Sequence, residues 1–291
     1  MATPQQWWQG ARPRTLPAAV APVAAGTGVA AFYGSVELVL ALLALVVALS
    51  FQVGVNYAND YSDGVRGTDE HRVGPMRLTA TGVAAPASVR WAAVLCFGLG
   101  ALAGLVTVML TEQWWLVAVG AACMVAAWYY TGGRNPYGYL GLGEVSVFVF
   151  FGLVATMGTA YVQTESWSWL ALLVASGVGA LACALLVVNN LRDIPTDTEA
   201  DKRTLAVRLG DRRTRILYVI LVAAALVAVV VASIGWTPSA LWALVAFIPV
   251  ATPIGAVLGG ASGRNLSPVL QATGLIQLLY GISLGIGLTL T

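Results

Sequence analysis

Every lysine and arginine of this chain falls in alternate gaps between long apolar stretches, and that alternation restricts it to a bundle of membrane-crossing helices. Arg12 and Arg14 precede the first stretch, and Arg66, Arg72, Arg77 and Arg90 lie between the second and third. Arg134 follows the fourth. Arg192, Lys202, Arg203, Arg208, Arg212, Arg213 and Arg215 surround the sixth-to-seventh connection, and Arg264 follows the eighth. Basic loops are retained in the cytoplasm. The expected placement is therefore the cell (plasma) membrane, with the N-terminus and these loops inside.

A span needs about 20 apolar residues, because each rises about 1.5 Å through a layer about 30 Å thick. Nine such spans are predicted, at 15–34, 37–60, 87–110, 113–131, 140–162, 168–191, 214–234, 237–259 and 268–289. Only 61–86 and 192–213 are long polar segments, so no soluble domain is expected. The expected fold is all-α and polytopic, one domain over 1–291. The net charge of +2 gives no support to nucleic-acid binding. The first stretch, interrupted by Pro17 and Pro22, is expected to stay in place rather than be cleaved. Cys96, Cys123 and Cys183 each sit in an apolar stretch without paired spacing, as small buried side chains do.

The chain contains an internal echo. Span two ends in Asn56-Tyr57-Ala58-Asn59-Asp60-Tyr61-Ser62-Asp63, and span six in Asn189-Asn190-Leu191-Arg192-Asp193-Ile194-Pro195-Thr196-Asp197. In both, Asp follows Asn by four residues, and a second Asp comes soon after. The clusters are four spans apart, which suggests two four-helix halves, about 15–131 and 140–259, plus a ninth helix over 268–289. Asn56, Asp60 and Asp63 share a face if the helix persists. Pro195 lacks an N–H and disfavours helical geometry before it, so helix six is expected to end or kink near Asp193. Asp197 and Asp201 would then follow on a loop or a short helix.

Carboxylates at a membrane helix end are costly unless they line a wet cavity, pair or bind a cation. A polar helix end would explain one such Asp; two matched sets point to a site. Mg2+ is usually held by one or two carboxylates, waters and phosphate oxygens. Asp60, Asp63, Asp193 and Asp197 are the candidate ligands, with Asp201 a further one, and Asn56 and Asn189 could add amide oxygens. Arg66, Arg72 and Arg77 follow the first cluster, and Lys202, Arg203 and Arg208 the second, as a rim for a diphosphate would. Topology setting or lipid contact would also explain such charges. Trp128-Tyr129-Tyr130, Tyr137 and Tyr139 could shield a cation or populate the headgroup belt. Glu144 is either a carboxylate favoured by a helix start or a catalytic base or acceptor for a phenol. His71, the only histidine, has no metal-ligand spacing.

The first cluster, with Asp69 after it, resembles the first aspartate motif of UbiA-type membrane prenyltransferases. Asp193-Ile194-Pro195-Thr196-Asp197, extended by Asp201 and Lys202, resembles their DxxxD motif. More narrowly the chain resembles the 1,4-dihydroxy-2-naphthoate polyprenyltransferase branch. Ala11-Arg12-Pro13-Arg14-Thr15-Leu16-Pro17, Arg72-Val73-Gly74-Pro75-Met76-Arg77, Tyr139-Leu140-Gly141-Leu142-Gly143-Glu144 and Lys202 to Gly210 carry that likeness. Many relatives place a third Asp where this chain has Gly67; Asp69, two residues later, would serve as the further metal ligand in its place.

The resemblance implies helices around a central cavity, Mg2+, a polyprenyl diphosphate held in the bilayer and a dihydroxynaphthoate acceptor. The prenyl C–O bond breaks, the ring attacks the allylic cation, and CO2 and diphosphate leave, giving demethylmenaquinol. Tyr139 and Glu144 are among the implied catalytic residues. Related acceptors would be 4-hydroxybenzoate, homogentisate or haem. Asp60-Tyr61-Ser62-Asp63-Gly64 also resembles the start of a CDP-alcohol phosphotransferase motif, but its other aspartates do not follow nearby. A cation-coupled transporter would instead place acidic groups and broken helices near mid-membrane.

Overall fold

The structure is a computed structural model describing residues 2–68 and 76–290, and every regular element among them is helical. A short helix α1 (Pro4–Gly10) leads into α2 (Pro17–Phe32), α3 (Leu38–Arg66), α4 (Pro86–Thr111) and α5 (Trp115–Tyr129). Then come α6 (Gly143–Thr164), α7 (Trp169–Glu199), α8 (Leu205–Gly235), α9 (Pro238–Leu258) and α10 (Gly263–Thr289). Seven of these are long and apolar enough to cross a membrane. Pro4–Thr15 and Pro17–Phe32, bent by 49°, make an eighth if counted together. Helix α5, the fourth of the nine expected spans, is the exception. Its 15 residues rise about 22 Å, short of the hydrocarbon layer. The chain is a multi-pass membrane protein.

Helix α7 organises the bundle. Of its most apolar window 78% is buried, against 22–50% for the other spans, so neighbours surround it. Small residues permit that closeness. A Cβ on Gly152 of α6 would come within 2.6 Å of the Gly179 Cα on α7. Between α2 and α10, a Cβ on Gly28 would meet the Gly285 Cα at 2.4 Å. One apolar core gathers Val174, Val178, Leu181 and Val188 of α7 with Tyr218, Ile276, Tyr280 and Leu284. A second holds Tyr57, Leu78, Val89, Ala93 and Phe97 between α3, α4 and the loop before α4.

Two local features differ from expectation. Helix α7 does not end at Asp193 but runs through Pro195 to Glu199. Proline removes one main-chain hydrogen bond, a loss membrane helices tolerate when neighbours satisfy the freed groups. Asp197 thus stays on the helix. At the end of α3, Gly67 adopts φ 74°, and Thr68 N–H closes back onto the Asp63 carbonyl at 3.2 Å. This is a glycine-terminated helix end. Gly67 supplies the left-handed residue that this helix end needs.

Candidate active site

The ends of α3 and α7 meet over one cavity of about 670 Å3. Its mouth is polar: Arg12, Asn56, Asn59, Asp63, Arg77, Tyr139, Asn189, Asn190, Asp197 and Lys202 all line it. Its depth is apolar, walled by residues such as Val47, Phe51, Val108, Met124, Phe150 and Phe151. The last two belong to a π-wound stretch of α6, Phe148–Val154, whose wider turn sits beside the hollow.

Asp63 is the hub of the mouth. Its Oδ1 accepts the Tyr139 hydroxyl at 2.6 Å. Its Oδ2 lies 3.5 Å from Lys202 Nζ and 3.9 Å from Arg77 Nη2. Lys202 also stands over the Tyr139 ring, 4.7 Å from its centre. Burial first, and then the Asp63 carboxylate, push the Tyr139 hydroxyl well above its ordinary pKa. Tyr139 therefore stays a donor at neutral pH. The turn after α7 delivers the lysine: Asp201 takes φ 52°, and Lys202 N–H donates to the Asp197 carbonyl at 2.8 Å. Its neighbour Arg203 points outward, its side chain exposed beside the equally exposed Asp201.

The remaining expected ligands divide sharply. Asp60 is fully buried, and its two oxygens accept the main-chain N–H groups of Leu78 and Thr79, each at 2.8 Å. It does not line the cavity. Asp193, 2% exposed, is gripped by the Arg192 guanidinium at 2.7 and 2.9 Å. The same guanidinium donates to Asn189 Oδ1 at 2.8 Å. Arg66 donates to the carbonyls of Thr131 and Gly133 and lies over the Tyr139 ring, holding the loop after α5. Asp69 and Arg72 lie outside the described residues.

The amides are more ordered than the sequence suggested. Asn56 Nδ2 donates to the Ala11 carbonyl at 2.9 Å and to Thr15 Oγ1 at 3.0 Å. Asn59 Oδ1 accepts from Thr131 at 2.7 Å. Asn190 Nδ2 donates to Glu144 Oε1 at 3.0 Å. Glu144 is buried at the start of α6; it does not line the cavity. Asn59, Asn190 and Arg12 join the cavity lining only once the chain is folded. A signal existed for Asn190, since Asn56–Asp63 and Asn190–Asp197 both have a seven-residue spacing.

Among the described residues no group of three or more His, Cys, Asp or Glu could hold a metal ion unaided. The donors that do line the mouth are hard oxygens, the carboxylates of Asp63 and Asp197 beside amide groups. They suit Mg2+, which binds few carboxylates and takes its other ligands from water and phosphate.

A cationic and carboxylate mouth above an apolar hollow suits an amphiphile with a phosphate head and an oily tail. The chain belongs to the UbiA prenyltransferase family, whose profile matches residues 19–265. It is 54% identical, over 97% of its length and 96% of the relative's, to a 1,4-dihydroxy-2-naphthoate octaprenyltransferase of Mycobacterium tuberculosis. Its fold resembles that of a UbiA homologue from Aeropyrum pernix, with TM-score 0.70 and 14% identity over 94% of this chain and 97% of that one. It also resembles a UbiA homologue from Archaeoglobus fulgidus bound to GPP and Mg2+, with TM-score 0.65 and 16% identity over 98% and 100%.

Proposed function

We propose that the protein is a Mg2+-dependent 1,4-dihydroxy-2-naphthoate polyprenyltransferase of menaquinone biosynthesis. It would lie in the plasma membrane with the cavity mouth on the cytoplasmic side. The near full-length identity to a protein of that name carries the acceptor assignment. The convergence of Asp63 from α3 and Asp197 from α7 on one cavity carries the chemistry.

In this reading Lys202 and Arg77, with Arg12 beside them, hold the diphosphate head by charge-assisted hydrogen bonds. Phe150, Phe151 and the apolar wall take the prenyl tail and keep water from the reacting carbon. Asp63 and Asp197, with amide oxygens nearby, would hold Mg2+. That ion supplies neutralisation of the charge that builds on the departing diphosphate. The C–O bond breaks with its electron pair leaving on the diphosphate. The rings of Tyr130, Tyr137 and Tyr139 then face the allylic cation. The naphthoate ring carbon that bears the carboxylate forms the new C–C bond, and that carboxylate departs as CO2, returning its bonding pair to the ring. Asp60 holds the loop that carries Arg77, and Asp193 holds Arg192.

Purified protein in lipid nanodiscs, given a polyprenyl diphosphate, Mg2+ and a panel of dihydroxynaphthoate, 4-hydroxybenzoate and homogentisate, tests this. Prenylated naphthoquinol and CO2 are expected from the first acceptor. Product from another acceptor and none from dihydroxynaphthoate would overturn it.

A further inference from the structure

The acceptor in Glu144 is occupied by Asn190, and the chemistry of that contact fixes more than itself. Asn190 Nδ2 donates to Glu144 Oε1 at 3.0 Å, so the amide turns its NH2 group toward that carboxyl. The amide oxygen lies at the opposite end of the same planar group, and Asn190 lines the cavity. The first half shows the matching arrangement. A main-chain carbonyl only accepts, so Asn56 must turn its NH2 toward Ala11, 2.9 Å away. Each of these asparagines precedes a cavity-lining aspartate by seven residues, Asp63 in one half and Asp197 in the other.

Glu144 is itself held. It is 8% exposed, and the Cys183 thiol donates to its main-chain carbonyl at 3.1 Å, tying the start of α6 to α7. Glu144 Oε2 is buried and has no hydrogen-bond partner among the described residues. A buried carboxylate oxygen left without a donor is costly. Among the described residues Asn190 is the one side-chain hydrogen-bond partner of the Glu144 carboxyl. A group acting on the phenol would face the cavity, and Glu144 stands behind Asn190 instead.

We propose that Glu144 is a positioning residue: it fixes the Asn190 amide so that its oxygen faces the cavity as a ligand for the diphosphate-bound cation. This rests on the metal-bound diphosphate reading given above. Glu144 thereby does for the second half what the Ala11 carbonyl does for the first. It removes the flipped amide, whose NH2 would repel a cation.

The test is binding of Mn2+ in the presence of inorganic pyrophosphate, followed by electron paramagnetic resonance on full-length protein, beside turnover with Mg2+. Glu144→Leu and Asn190→Ala are each expected to weaken Mn2+ binding about 10- to 100-fold, the usual effect of losing an orienting partner or ligand. The double variant is expected to bind no more weakly than Asn190→Ala alone. Glu144→Gln keeps an acceptor for the Asn190 amide and is expected to stay within about 3-fold of the parent in Mn2+ affinity and in turnover. It is isosteric, so a poorly folded Glu144→Leu would not blunt the test. Lost turnover in Glu144→Gln with Mn2+ affinity intact would make Glu144 a proton acceptor and overturn the proposal. If Asp63→Asn abolishes Mn2+ binding while Asn190→Ala leaves it unchanged, the metal site stands and the proposal falls. If Asp63→Asn and Asp197→Asn both leave it unchanged, the underlying metal reading fails as well.

Discussion

The helix ends of α3 and α7 present the cavity with the same pair, an asparagine and an aspartate seven residues on, but they are braced differently. On α3 the braces are mostly main chain: the Ala11 carbonyl, with the Thr15 hydroxyl beside it, holds Asn56, and the Leu78 and Thr79 amides hold Asp60. On α7 they are side chains: Glu144 holds Asn190, and Arg192 holds Asp193. A main-chain brace is untouched by substitution of the bracing residue, whereas a side-chain brace can be deleted. The α7 end should therefore be the one whose geometry point mutations loosen more readily, without touching Asn190 or Asp197.

The largest effect is expected where the two helix ends are alike. Asp63→Ala or Asp197→Ala should lower turnover about 100- to 1,000-fold, as loss of a group stabilising a leaving anion does, while the protein still inserts. Retention of near-normal turnover by either would break the pairing. Asp60→Asn tests the main-chain brace. It takes one acceptor from the Leu78 and Thr79 amides, and a buried N–H left unpaired costs about 1–3 kcal/mol. A lower melting midpoint in detergent and faster proteolysis of the loop before α4 are expected. An unchanged midpoint with abolished Mn2+ binding would instead make Asp60 a direct ligand.

Tyr139→Phe should act more mildly, removing one hydrogen bond to a carboxylate, a loss of about 10-fold in turnover. Because burial and Asp63 raise the Tyr139 hydroxyl, its proton is retained as pH rises through neutrality. The pH–rate profiles of the parent and Tyr139→Phe should then run parallel from pH 6 to about 9. A limb present only in the parent would contradict this. Arg203→Ala should change turnover by less than about 2-fold, because its charge is solvated and points away from the mouth. Lys202→Ala, one residue earlier, should raise the KM for the diphosphate.

The apolar runs made the spans legible, because lipid leaves the backbone no other way to satisfy its hydrogen bonds. Their edges moved where turn chemistry decided. Helix α3 runs on to Arg66, since Gly67 supplies the left-handed residue that ends it. Helix α7 passes through Pro195, which local sequence marks as a stop. The two clusters were legible as an echo, but not which carboxylate faces inward. At about 100° per residue, Asp60 lies about 40° to one side of Asn56, while Asn59 and Asp63 lie about 60° and 20° to the other. Periodicity puts all four on one broad face, and only the packing of the loop at Leu78 decides which edge is wet. For Asp193 the angle is no guide, because its partner is the adjacent Arg192, and neighbours in sequence do not ordinarily face each other on a helix. Glu144 was visible as an anomaly among apolar neighbours, but its contact with Asn190, 46 residues on, is purely tertiary.

In the proposed reaction α3 and α7 act together on one diphosphate. Calorimetric binding of pyrophosphate with and without Mg2+, for the parent, Asp63→Asn, Asp197→Asn and the double variant, measures that most directly. Mg2+-dependent binding should be lost in either single variant, and the double should be no worse than the singles. Single losses that simply add, or pyrophosphate bound equally well in the absence of Mg2+, would contradict it.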